Sequence, residues 1–182
     1  MTMLTFLNKT DYPAQFLVKK GEQVVARLPA IAPQAVMQVP STDDYQVTAT
    51  TIIENNTYTS APIQVTGASG FLAQVMQDSL RGTYDFQMVA GPSTAADRMV
   101  FQKTTLGPVT FNIWKNGRIM QSVVVPDSFL TRSVQIGSVF TIYAVINGVT
   151  TALVTTGNPE ATITAVTDTS DLEAGYFTLL AN

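Results

Sequence analysis

Apolar and polar residues alternate over short runs along most of this chain. VTFNIWK (109–115) sets Val109, Phe111 and Ile113 on one side and Thr110, Asn112 and Trp114 on the other, which is the two-residue period of a half-buried strand. RIMQSVVV (118–125) follows after Asn116-Gly117. Asn-Gly between two such runs predicts a hairpin, because a type I′ turn needs positive φ at both central positions. VFTIYAVI (139–146), Asn147-Gly148 and VTTALVTT (149–156) predict a second hairpin of the same kind. Only GFLAQVMQDSLRG (70–82) carries apolar residues at helical spacing. Its later counterpart ATITAVTDTSDLEAG (161–175) alternates like a strand, so strand followed by a tight turn is the expectation for both, with a helical turn in 70–82 as the alternative.

The pattern is written twice. Phe6, Thr10, Pro13 and Phe16 recur at one common offset as Phe101, Thr105, Pro108 and Phe111. Further on, MQVPS (37–41) answers VQIGS (134–138), YQVTA (45–49) answers FTIYA (140–144), and FQMVA (86–90) answers FTLLA (177–181). With one residue inserted at the first turn, Lys20-Gly21 stands against Asn116-Gly117, and Asn55-Asn56 stands near Asn147-Gly148. The period is domain-sized, too long for a solenoid. The expected organisation is therefore all-β: two tandem, structurally equivalent β-sandwich repeats, immunoglobulin-like or jelly-roll-like, of seven or eight strands each. Their expected bounds are 1–90 and 98–182, with a Gly/Pro/Ser linker at 91–97.

Composition bears this out as a packed protein, with 46% hydrophobic residues, and changes the picture at the surface. Only 13% of residues are charged, against about 25% in an average soluble domain. Ten basic and thirteen acidic residues give a net charge of −3. No basic cluster suited to phosphates stands out, so nucleic acid is not an expected partner. No apolar run reaches the roughly 20 residues of a spanning helix. The start of the chain lacks the pattern of a signal peptide. Cytoplasmic synthesis is the expectation, with release by a non-classical route left open.

Histidine and cysteine are both absent. That removes Ser-His-Asp and Cys-His catalysis and the usual zinc sites. Neither glycine-rich nucleotide fingerprint occurs, and no cofactor is implied. The acidic clusters are Asp43-Asp44 and Asp168, Asp171, Glu173. Both fall in expected loops, where carboxylates commonly brace turns. The second is a weak calcium candidate that does not follow the EF-hand spacing. The protein is expected not to be an enzyme.

Trp114 is the sole Trp. It is expected to face outward beside Lys115, Asn116 and Arg118 at a hairpin tip, where an indole can stack on a sugar ring; the alternative is structural packing. Lys19 stands at the equivalent place in the first repeat, so such a site would occur once. No charge occurs between Glu54 and Asp78 or between Arg132 and Glu160. Neutral strands either lie centrally or serve association. The sequons at Asn8 and Asn55 are expected to be chance matches. These features point to a contact protein, either a self-associating subunit forming a homo-oligomer or assembly, or a recognition module for a neutral, glycan-like surface. A pore-forming or membrane-disrupting β toxin is the alternative.

Overall fold

Strand periodicity becomes hydrogen-bonded sheet throughout the computed structural model, which describes residues 1–170 and 176–182. The chain is all-β: 62% of residues are in strands, arranged as four sheets, with no helix among the described residues. Segment 70–82 is strand and turn, since its apolar residues lie on both faces: Phe71 and Ala73 are buried, while Leu72 and Met76 look outward.

Nine strands fall in the first half: β1 (Met3–Asn8), β2 (Ala14–Lys20), β3 (Gln23–Arg27), β4 (Val36–Pro40), β5 (Asp44–Ile53), β6 (Asn56–Thr59), β7 (Ile63–Thr66), β8 (Ser69–Asp78) and β9 (Thr83–Pro92). Nine follow in the second: β10 (Arg98–Lys103), β11 (Val109–Lys115), β12 (Arg118–Val125), β13 (Arg132–Gln135), β14 (Phe140–Ile146), β15 (Val149–Thr150), β16 (Val154–Thr156), β17 (Thr162–Thr167) and β18 (Phe177–Ala181). The count exceeds seven or eight because one strand in each half is broken in two. Ser60 separates β6 from β7, and its Oγ accepts the Ala49 N–H at 2.9 Å. Thr151 separates β15 from β16, and its Oγ1 accepts the Ala144 N–H at 3.0 Å. A side-chain hydroxyl thus takes the ladder position of a carbonyl while the strand kinks.

The chain divides into two compact units, and they are not the expected ones. The first joins Met1–Thr42 to Gly137–Asn182; the second is Asp43–Ile136. The expected boundaries at 1–90 and 98–182 cut through the second unit. Segment 91–97 is no interdomain linker: β9 runs through Pro92, and Ser93 Oγ lies 2.7 Å from the carbonyls of Ala95 and Arg98 on the way to β10. The physical reason is strand pairing. Each unit joins the first four strands of one half of the sequence to the last five of the other: β1–β4 with β14–β18, and β10–β13 with β5–β9.

In the first unit the sheets run β18-β17-β1-β4 and β15-β14-β2-β3, with β16 also on β14. In the second they run β9-β8-β10-β13 and β6-β5-β11-β12, with β7 also on β5. Each strand of one unit has a counterpart in the other at the same place. The pairing of β1 with β17 is parallel, as is that of β10 with β8.

Each unit buries one hydrophobic cluster between its two sheets. The residues that repeat in sequence sit at the centre of these clusters. Phe6 and Phe16 pack at 5.1 Å between ring centroids, Phe101 and Phe111 at 5.0 Å. All four are fully buried, a burial worth roughly 1.5–3 kcal/mol per side chain. A lysine closes the rim of each core. Lys20 Nζ lies 4.8 Å over the Phe140 ring, and Lys115 Nζ lies 4.7 Å over the Tyr45 ring. Lys20 therefore answers Lys115, not Asn116, and no residue is inserted: the turns are Gly21-Glu22 and Asn116-Gly117. Likewise the β5–β6 turn is Glu54-Asn55, both at positive φ, one residue earlier than expected.

A segment spanning 43–136 contains every strand of the second unit, whereas 1–92 contains parts of both. The fragment 43–136 is expected to fold alone with a cooperative thermal transition. The fragment 1–92 is expected to be unfolded as a monomer and structured only as an exchanged dimer. Circular dichroism with sedimentation analysis checks both; an autonomously folded monomer of 1–92 would overturn the assignment.

Candidate functional site: an uncharged sheet face

The sheet β6-β5-β11-β12 turns Val47, Ala49, Phe111, Ile113, Val123 and Val125 into the core of the second unit. Because side chains alternate, the residues between them form the opposite face, and strand register sets them in rows. Val124, Thr110, Thr50 and Thr59 make one row; Ser122, Asn112 and Thr48 make the next; Ile119, Trp114, Gln46 and Gln64 make a third. None of these eleven side chains carries a charge.

Hydrogen bonds within the rows fix the polar groups. Ser122 Oγ donates to Asn112 Oδ1 at 2.6 Å, and Gln64 Nε2 donates to Gln46 Oε1 at 3.0 Å. The Thr50 and Thr59 hydroxyls lie 3.4 Å apart. Trp114 is half-buried, and its Nε1 donates to Thr48 Oγ1 at 3.1 Å. The indole is anchored by its polar edge, with its ring in the row facing outward. At the margin, Thr50, Thr51, Ile52, Thr57, Pro108 and Thr110 line a depression of about 240 Å³. Asp44 bounds the other margin and accepts a hydrogen bond from Thr66 at 3.0 Å.

The four residues expected to form a site are therefore divided. Trp114 lies on the outward face as expected. Lys115 is one residue on, so its side chain goes to the opposite side of the strand, over Tyr45. Arg118 pairs opposite Lys115 and shares that side. Asn116 is exposed at the turn with φ of 52°, its conformation serving the hairpin. What the sequence reading missed is Thr48, Gln46 and Gln64, because they lie on β5 and β7, some 50 to 70 residues before Trp114 in the chain.

The matching face of the first unit is different. There Lys19 pairs with Thr141 and Val24, and Leu17 pairs with Tyr143 and Arg27. Lys19 and Arg27 give it charge, so the neutral face occurs on the second unit.

The acidic clusters expected at loops are partly visible. Asp168 Oδ1 accepts from Ser170 Oγ and Ser170 N, which holds its carboxyl below the usual range. This is a turn brace. Asp171 and Glu173 lie outside the described residues. No three acidic side chains converge to hold a metal among the described residues. Of the two sequons, Asn8 is fully buried, and its Nδ2 donates to the carbonyls of Tyr12 and Ile31; a glycan there is incompatible with the fold.

Comparison with known protein families, with curated proteins and with solved structures gives no match.

Beneath the Trp114 row, burial raises the Tyr45 phenol well above its usual range, with the charge of Asp43 adding to the effect. The folded state therefore holds this proton more tightly than the unfolded state. Its contribution is fully present below about pH 10 and is lost as pH rises further. In a phenolate titration of the six tyrosines, Tyr45 is expected to ionise only on unfolding. Tyr45→Phe is expected to make alkaline unfolding less steep in pH.

Proposed function

We propose that the protein is an internally duplicated pair of β-sandwiches that exchange strands and that it works by contact, not by catalysis. The contact surface is the uncharged face around Trp114, and its ligand is neutral and hydroxyl-rich, as a glycan surface is. One observation carries this reading: three adjacent strand rows present hydroxyl, amide and indole groups with no ion among them. Desolvating such groups against a partner that returns their hydrogen bonds costs far less than desolvating ions. An aromatic ring beside amide and hydroxyl groups suits the alternating apolar and polar faces of a sugar. The internal duplication is supported by the common strand order, the paired phenylalanines and the two lysine-capped rims.

Self-association is the second reading, favoured by β12. This eight-residue strand ends its sheet, and Arg118 is its one charged residue. Long neutral terminal strands pair readily with another chain, which would give a homo-oligomer. The toxin alternative draws less support, because the Thr-rich segments form β6, β7, β15 and β16, of two to four residues each, whereas a strand crossing a bilayer needs about 9–11.

Binding to a panel of neutral oligosaccharides tests the first reading. Trp114→Ala and Thr48→Lys are expected to weaken binding at least tenfold, about 1.4 kcal/mol, with Arg118→Ala near wild type. Unchanged binding by both face variants would sink it. Sedimentation of wild type beside Val124→Lys tests the second: an oligomer that the lysine dissociates supports it, and a strict monomer removes it.

A further inference from the structure

At the end of the second unit where β8 and β10 finish, the Glu54-Asn55 turn, the loop 104–108 and the β8–β9 hairpin surround a cavity of about 510 Å³. Val75, Ile52 and Leu106 give it an apolar wall; Glu54 and Tyr84 stand together at its rim, with Tyr84 Oη donating to Glu54 Oε1 at 3.3 Å. Among the described residues that line it, Glu54 alone carries a charge.

The first unit shows why the space is there. Its counterpart loop is 9–13, and Tyr12 packs edge-on against Phe177 with centroids 6.0 Å apart and planes at 80°. Phe177 lies opposite Thr167, as Phe86 lies opposite Val75, so Phe86 is the counterpart of Phe177. The shared Thr10 and Thr105 hydroxyls fix the loop register: Thr10 donates to the Tyr12 carbonyl and Thr105 to the Gly107 carbonyl, both at 2.9 Å. Gly107 thus stands where the first unit has Tyr12, and the missing ring leaves the cavity open.

The opening is held by rigid structure. Lys103 is fully buried, and its Nζ donates to the Thr105 carbonyl at 2.8 Å and to Ser128 Oγ at 3.3 Å. Thr51 Oγ1 donates to the Pro108 carbonyl at 2.9 Å, and Thr104 N to the Ala73 carbonyl at 3.0 Å. A preformed, mostly apolar cavity of this size with a few polar groups at one side is the ordinary form of a small-molecule site.

We propose that this cavity binds small organic ammonium ions, with the hydrocarbon body against Val75, Ile52 and Leu106 and the cationic head between the Glu54 carboxylate and the Tyr84 ring. The charge chooses the sign of the ligand. The same carboxylate, by its charge and its hydrogen bond, holds the Tyr84 phenol above its usual range. The hydrogen bond to Glu54 uses the phenol edge and leaves the ring face, which attracts cations. This site is separate from the neutral face and stands or falls independently of it.

The test is a backbone-amide NMR titration of the full chain with n-hexylammonium, and with hexanol and hexanoate as neutral and anionic controls of equal length. Hexylammonium is expected to give saturable shifts at Glu54, Val75, Tyr84 and Leu106, weaker in high salt, with hexanol weaker and hexanoate weakest. Glu54→Gln is expected to reduce affinity roughly fivefold or more, as for a partly exposed ion pair with a cation–π partner. Gly107→Tyr restores the ring of the first unit and is expected to abolish binding. Its Cβ would lie 3.3 Å from the Ile52 carbonyl, so Tyr84→Ala, at a half-buried rim position, serves as the second variant and is expected to weaken binding as well. Equal binding of hexanoate, affinity unchanged in both Glu54→Gln and Tyr84→Ala, or no saturable shift at these residues would each overturn the proposal.

Discussion

Two central strand pairings carry this structure: β2 with β14, and β5 with β11. Each joins a strand of the first half of the chain to one of the second, along seven and six residue pairs. Without β14, β2 would keep one side of its ladder open while burying Ala14, Phe16 and Val18. Unpaired backbone groups beside a buried strand are costly. Neither half therefore completes a core alone, and each unit closes only when a strand of the other half arrives, from about 60 residues away for β5 on β11 and from more than 115 for β2 on β14. The high sequence separation also implies slow folding relative to a protein of local contacts.

Around these pairings the two units use the same small set of polar devices. A hydroxyl from Ser60 or Thr151 satisfies an alanine N–H where an outer strand breaks. A buried polar side chain, Asn8 in one unit and Lys103 in the other, braces the following loop through backbone carbonyls. Lysine over an aromatic ring seals each rim. That a buried amide and a buried ammonium fill one structural role is informative: what the site requires is a donor aimed at loop carbonyls, and the charge is secondary.

The two units diverge at two places. Lys19 on one outward face is replaced by Trp114 on the other, and Tyr12 in one loop is replaced by Gly107 in the other. The first exchange, together with the lack of a counterpart to Arg27, leaves three rows without an ion, and Gly107 lines a cavity whose single charge is a carboxylate. Two units of common strand order can carry such differences because their cores, built on Phe6 and Phe16 and on Phe101 and Phe111, are unaffected by either.

Taken alone, the sequence determined the strands, most of the turns and the repetition, because these depend on neighbours within a few residues. Alternation is visible in VTFNIWK, and Asn116-Gly117 and Asn147-Gly148 carry their positive φ in their residue types. It determined that Trp114 faces outward and that ions are scarce. Tertiary structure decided which strand meets which. Two similar halves offer each strand two similar partners, and no local pattern distinguishes β5 on β2 from β5 on β11. That choice separated Lys115 and Arg118 from Trp114, brought Thr48 and Gln46 beside it, and set Glu54 at the rim of a cavity. Pairing over long separations is settled by how whole sheets close over a core, a property that no single segment contains.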